Sequence, residues 1–328
     1  MQTIPQRDWV RVGVIGLAAG SILLAIIAAT LLYQHRRTRT LVIAAGSASG
    51  ESYVISQALK VVVERTHSNL RVSVLETGGT AENLRLLEQK VADLAAAQAD
   101  VTTGPSARSI ATLYQDRFQL MVRRGSAIHA FPDLKGKRIA LAQVGGQYRS
   151  FLHVAQHFGL KAEDFVFIGQ DDQSSDAAFA AGATDAAFRV RALGNPSVAR
   201  LAVQTHMELI RIDHAAAMQI KLPAYRSSII PEGAYLGSPP IPALDLPTVA
   251  VDRTLLANSQ LSHELVGIVL QTLVERRQEV AEAIPETSGD VKPLLAEVKP
   301  PSEGLGVSPS GSAGLLRSQQ ASVFSATF

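Results

Sequence analysis

The chain has 328 residues, of which 47% are hydrophobic and 18% charged, so it can bury a sizeable core and is no disordered polymer. It contains no cysteine, which excludes disulfide scaffolds, thiol catalysis and Cys-ligated metal sites together. The net charge of +2 is unevenly spread: the first forty residues carry +4 and the remainder −2, so nucleic-acid binding lacks its electrostatic support.

Residues 12–33 carry no charged side chain, and this run matches the roughly 20 residues that span a hydrocarbon core. It is longer than a cleavable signal's apolar region and closes on Gln34-His35-Arg36-Arg37, so it reads as an uncleaved transmembrane anchor within residues 1–39, with the lipid bilayer as its partner. Arginines flank it on both sides (Arg7 and Arg11; Arg36, Arg37 and Arg39), so charge alone gives no orientation.

From residue 40 the sequence alternates short apolar runs with helical spacing. Residues 40–45 read as a strand, 46–50 as a glycine loop and 52–65 as a helix; strand 71–75, turn 77–80 and helix 81–90 repeat the unit. Strands are expected over 93–97, 118–123, 138–142, 165–168, 186–190 and 207–212, with helices over 147–158 and 197–204 between them. Such alternation predicts an α/β protein with helices packed on largely parallel sheets. Residues 231–247 hold five prolines and read as a crossing segment, followed by a strand over 248–251 and one long helix over 261–283. Two lobes fit this layout: 40–122 with 244–300, and 123–243. The Ser- and Gly-rich residues 301–328 are expected to form a disordered or atypical tail.

Glycine loops between a strand and a helix present backbone N–H groups and the positive end of the helix dipole, which favours an anion. Gly46–Gly50 and Thr77–Thr80 are of this kind, and Gly145-Gly146 is a third. Enzyme templates fail: Gly46-Ser47-Ala48-Ser49-Gly50 has alanine where a nucleophile elbow needs serine, and no phosphate-loop lysine or dinucleotide fingerprint follows. His153 and His157 share a helix face without a zinc-protease glutamate, and Asp171-Asp172 reads as a solvated helix start. No catalytic residue, metal or cofactor is expected. Arg189 and Arg191 point to one face of their strand, where they either meet a carboxylate or stand solvated at the strand end.

The run Thr77-Gly78-Gly79-Thr80-Ala81-Glu82-Asn83-Leu84, with Gly46-x-x-x-Gly50-x-x-Tyr53, Gln98-Ala99-Asp100, Leu134-Lys135-Gly136-Lys137-Arg138, Asp185-Ala186-Ala187-Phe188 and Ile230-Pro231-Glu232-Gly233-Ala234-Tyr235, resembles the TAXI-type solute-binding subunit of the tripartite ATP-independent periplasmic (TRAP) transporter family. The resemblance covers roughly residues 40–306. It implies a two-lobed periplasmic-binding-protein type II fold, outside the cytoplasmic membrane, that closes on a small carboxylate or amino acid and delivers it to a TRAP membrane subunit. Ligand contact is then expected from Gly46, Ser47, Ser49, Ser52, Tyr53, Thr77, Gly78, Gly79, Thr80, Asn83 and Gln98, with Gly146, Arg149, Arg189 and Arg191 opposite. A membrane-anchored sensor or adaptor using the same fold without transport is the alternative. Two departures stand out: Glu51 occupies a position usually small or neutral, and the second-lobe loop reads Gly145-Gly146-Gln147-Tyr148-Arg149-Ser150.

Overall fold

The computed structural model describes residues 16–17, 19–26 and 38–300. The expected anchor lies outside the described residues apart from 16–17 and 19–26, which are helical, and the tail from 301 lies outside them altogether. Among the described residues no helix is long and apolar enough to cross a membrane.

The first structural unit is β1 (Arg39–Gly46), α1 (Glu51–Thr66), β2 (Leu70–Glu76), α2 (Thr80–Glu88) and β3 (Leu94–Gln98). β1 pairs in parallel with β2 on one side and β3 on the other. Ile55, Leu59, Val62 and Val63 recur at helical spacing along α1 and pack with Leu41 and Ile43 of β1. The second unit comprises β5 (Arg138–Ala140), α3 (Gly145–His157), β6 (Val166–Ile168), α4 (Asp172–Ala180) and β7 (Ala186–Arg191), with β5 again parallel to both neighbours. Its core is aromatic: Phe151 packs edge-on against Phe165 at 4.9 Å and Phe188 at 5.3 Å between ring centres.

Two long strands join these units. β4 (Ala107–Arg123) has 17 residues and β12 (Leu246–Asn258) has 13, and they run antiparallel to each other. β4 continues past its pairing with β12 to meet β7 and β8 (Met207–Ile210), while β12 meets β3 at one end and β9 (Tyr225–Ile230) at the other. The result is a single ten-stranded sheet with two large hydrophobic cores and two smaller ones. The expectation of largely parallel sheets therefore holds only for the outer strands; the middle is antiparallel, because β4 and β12 traverse the sheet in opposite directions. The strand expected over 118–123 is the last third of β4, and that over 248–251 is part of β12.

The remaining elements are α5 (Pro196–Thr205), α6 (Ala215–Lys221), the hairpin β10 (Leu236–Gly237) and β11 (Pro240–Ile241), α7 (His263–Val274) and α8 (Arg277–Glu282). The proline-rich crossing thus contains a short hairpin. The long helix expected over 261–283 is broken at Glu275 and Arg276, which lets Val269 and Leu273 of α7 and Val280 of α8 all enter the first core.

Candidate functional site

A cleft of about 470 Å³ opens between the two units. Its walls are the starts of four helices: Gly50–Ser52 at α1, Gly79–Thr80 at α2, Gly145–Gln147 at α3, and Asp171–Gln173 at α4. The helices α1, α2 and α3 have 16, 9 and 13 residues, and none is capped by a side chain of its N-cap residue, which is Gly50, Gly79 and Val144 respectively. The fourth start at the cleft is capped, Asp171 accepting from the Ser174 N–H; away from the cleft Asn195 accepts from Ser197 and Val198 and Ser262 from Leu265, while the short helices that begin at Ala215 and Arg277 have no side-chain cap. Gly79 stands at φ 102°, a backbone conformation closed to most other residues, and this lets the chain turn from β2 into α2 at the cleft wall.

The loops do not offer every N–H group to a ligand. The Ala48 N–H donates to Glu76 Oε1 at 3.1 Å, the Gly78 N–H to Glu82 Oε2 at 2.7 Å, and the Gly46 N–H to Thr77 Oγ1 at 3.1 Å. The available anion-binding capacity sits instead at the helix starts. Gly79 is the N-cap of α2, and the Thr80 hydroxyl accepts from the Gln98 N–H at 3.3 Å and from Arg253 Nη1 at 3.2 Å.

Most of the residues expected to touch ligand line this cleft: Gly46, Ser47, Ser49, Ser52, Thr77, Gly78, Gly79, Thr80, Asn83, Gln98, Gly146 and Arg191. Tyr53, Arg149 and Arg189 do not. Tyr53 accepts from its helix neighbour Gln57 at 2.9 Å. Arg149 is exposed on α3. Arg189 is fully buried, bound to the Asp176 carboxylate and to the carbonyls of Ala140 at 2.9 Å and Phe188 at 2.7 Å. The two strand arginines do share a face, as alternation requires, but that face meets α4, whose Asp172 and Asp176 stand one turn apart and pair with Arg191 and Arg189 in register. Neither arginine is simply solvated. Asp172 is therefore no solvated helix start: it lines the cleft, accepts from Gln147 Nε2 at 2.7 Å and pairs with Arg191. Burial pushes its carboxyl up, but Arg191 and Arg189 with the Gln147 bond outweigh this and hold it below the usual range.

The floor of the cleft holds residues that the sequence did not single out. Arg253 on β12 sits where the register with β4 shifts, and such an irregularity re-aims a side chain. Its guanidinium meets Asp116 of β4 at 2.6 Å. Tyr114, two residues before Asp116 on β4, shares a 2.7 Å hydrogen bond with Ser52 at the start of α1. Asp116 is completely buried, and burial pushes its carboxyl up to about 7, against the pull of Arg253 and with Glu51 adding to the rise. Burial likewise raises the Tyr114 hydroxyl far out of its ordinary range. Asn195, four residues past β7, donates through Nδ2 to Glu51 Oε1 at 2.8 Å, and Ser150 of α3 donates to Asp100, two residues past β3, at 2.8 Å, so two side-chain contacts link the two parts of the chain. Gly146 lies against Gln98 so closely that a Cβ there would stand 1.7 Å from Gln98 Oε1.

The architecture is shared with solved structures. The alkanesulfonate-binding protein SsuA of Xanthomonas axonopodis pv. citri, solved bound to MOPS, is 18% identical over 87% of this chain and 91% of its own, with a TM-score of 0.50. A protein of Bordetella bronchiseptica RB50 is 18% identical over 86% of this chain and 89% of its own, with a TM-score of 0.53. The ligand-binding component of an ABC-type import system from Staphylococcus aureus, solved with zinc bound, is 10% identical over 86% and 92%, with a TM-score of 0.50. These likenesses establish the periplasmic-binding-protein fold. The model of one family matches residues 43–295, nearly all of the structure just described, and the chain belongs to the NMT1-like family.

Proposed function

We propose that this protein is an extracytoplasmic solute-binding protein that captures a small organic anion in the cleft between its two lobes and presents it to a TRAP-type secondary transporter. The observation that carries the binding role is the convergence of α1, α2 and α3, each starting at the cleft without a side-chain cap. Each helix start favours an anion by about 0.3–1 kcal/mol when exposed and up to about 2 kcal/mol when partly buried, and charge-assisted hydrogen bonds contribute about 1.5–3 kcal/mol each. Arg191 and Arg253 line the same cleft, each paired with a carboxylate of the protein. The fold supports this reading, since the solved relatives named above include an alkanesulfonate-binding protein and the ligand-binding component of an importer. The transporter type, the membrane anchor at 12–33 and the lobe boundaries 40–122 with 244–300 and 123–243 rest on the sequence and its resemblance to the TAXI subunits. Lobe closure works by excluding water, which strengthens every charge-assisted contact inside.

A thermal-shift screen of the full chain against carboxylates, sulfonates and neutral sugars tests the binding role. At 100 times its dissociation constant a ligand adds about 2.7 kcal/mol, or roughly 4–5 °C for a protein of this size. At least one anion is expected to give such a shift and neutral sugars none; a panel in which no anion raises the melting temperature would overturn the reading.

A further inference from the structure

We infer that the ligand is a small zwitterion, an anion that also carries a primary ammonium group, and that Glu51 receives the ammonium. This inference deepens the binding role proposed above and rests on it. The cleft is lined by four carboxylates, Glu51, Glu76, Asp171 and Asp172, and only two cations, Arg191 and Arg253. Both cations are already paired inside the protein, Arg191 with Asp172 and Arg253 with Asp116. Three of the carboxylates also have evident partners: Glu76 takes the Ala48 N–H, Asp171 caps α4, and Asp172 holds Arg191.

Glu51 differs. It is 2% exposed, its hydrogen-bond partner is the neutral amide of Asn195, and no lysine or arginine among the described residues lies within ion-pair distance of it. A carboxylate buried in this way is costly unless a countercharge reaches it. Its own helix start offsets part of that cost, and the Arg191 and Arg253 guanidinium groups act on it through space. The cleft beside it is the remaining place from which a full countercharge can come. A second feature points independently to a ligand: Gln98, also 2% exposed and lining the cleft, has an amide Nε2 without a hydrogen-bond partner among the described residues. That donor and the helix starts suit a carboxylate or sulfonate, which leaves Glu51 to accept from the ammonium. A plain dianion would bring two more negative charges to a wall where carboxylates already outnumber cations.

Calorimetric titration of the full chain with matched pairs tests this: L-glutamate against glutarate, alanine against propionate, taurine against ethanesulfonate. In the pair that binds, the amino member is expected to bind at least tenfold more tightly, and its N-trimethylated form to lose that advantage because it has no N–H to donate. Glu51→Gln is expected to bring the two members within about threefold of each other while the deaminated anion binds no more weakly than to the unaltered chain. Equal or tighter binding of the deaminated member to the unaltered chain overturns the inference and leaves the anion-binding reading standing. Equal weakening of both members by Glu51→Gln also overturns it, assigning Glu51 a structural role; the N-trimethylated comparison decides the matter should that variant fail to fold. If no member of any pair binds, the anion-binding reading and the inference fall together.

Discussion

Replacing Arg253 with alanine is expected to cost about 3–5 kcal/mol of stability at pH 8.5, because it strands the Asp116 carboxylate in the interior without its partner. Asp116 is fully buried and pairs with Arg253 at 2.6 Å, and neither carboxylate oxygen has a conventional hydrogen bond among the described residues. Arg191 acts on it only through space, without an ion pair. The loss depends on pH, and its sign follows from the raised carboxyl. Burial lifts Asp116 from the ordinary 3.8 to about 7 in the folded chain, so between those values the folded state holds more protons than the unfolded one. Asp116 therefore contributes a stability that falls as pH rises from about 4 to about 7. At pH 5.5 the carboxyl can take a proton when Arg253 is gone, and the variant is expected to lose clearly less than at pH 8.5. Asp116→Asn should flatten the slope of stability against pH over this window relative to the unaltered chain. Burial holds His153 and His157 below their usual value, which gives a slope of opposite sign near pH 6.5, and the comparison with Asp116→Asn removes that contribution. Urea unfolding at pH 5.5, 7 and 8.5 measures all three chains. A loss under 1 kcal/mol for Arg253→Ala at pH 8.5, or parallel pH profiles for the unaltered chain and Asp116→Asn, would show that the pair does not carry this role.

Gly146→Ala is expected to weaken anion binding by ten- to a hundredfold, about 1.4–2.7 kcal/mol, while changing stability by no more than about 1 kcal/mol. The new methyl carbon would stand 1.7 Å from Gln98 Oε1, 2.9 Å from its Cδ and 3.5 Å from Thr80 Oγ1. Gln98 can swing its flexible end aside, which spares the fold. It cannot do so and still present its amide at the same point of the cleft, and the start of α3 is held away from α2. Titration of the anion that gives the largest thermal shift distinguishes the outcomes: an unchanged dissociation constant would mean that the contact between Gly146 and Gln98 has no part in capture.

The glycine loops were legible in the sequence because a turn from strand to helix needs residues of that type, so Gly46, Gly79 and Gly146 fell where the cleft is. The long strands were not, and the reason is physical. Along β4 the buried side chains include Tyr114, Asp116 and Gln119, and along β12 they include Arg253 and Thr254, so polar residues stand where an apolar alternation would announce a strand. Of those residues Tyr114 and Arg253 line the cleft and Asp116 pairs with Arg253, so the polar side chains that hid the strands are partly those at the cleft floor. The reading of Arg189 failed for another reason. Alternation correctly placed it beside Arg191 on one face, but only the packing of α4 shows that Asp176 meets it before any ligand could. The break between α7 and α8 was invisible because 261–283 is amphipathic throughout, and only the tertiary core decides where the helix must turn.

Hydrogen exchange of the full chain, measured by mass spectrometry with and without the anion that shifts the melting temperature most, tests most directly whether the starts of α1, α2 and α3 form one anion site. The expected result is slowed exchange confined to the amides around Glu51 and Ser52, Thr80 and Ala81, and Gly145 and Gly146, the three helix starts that the ligand would cap. Slowed exchange elsewhere, with these three segments unchanged at saturating anion, would contradict it.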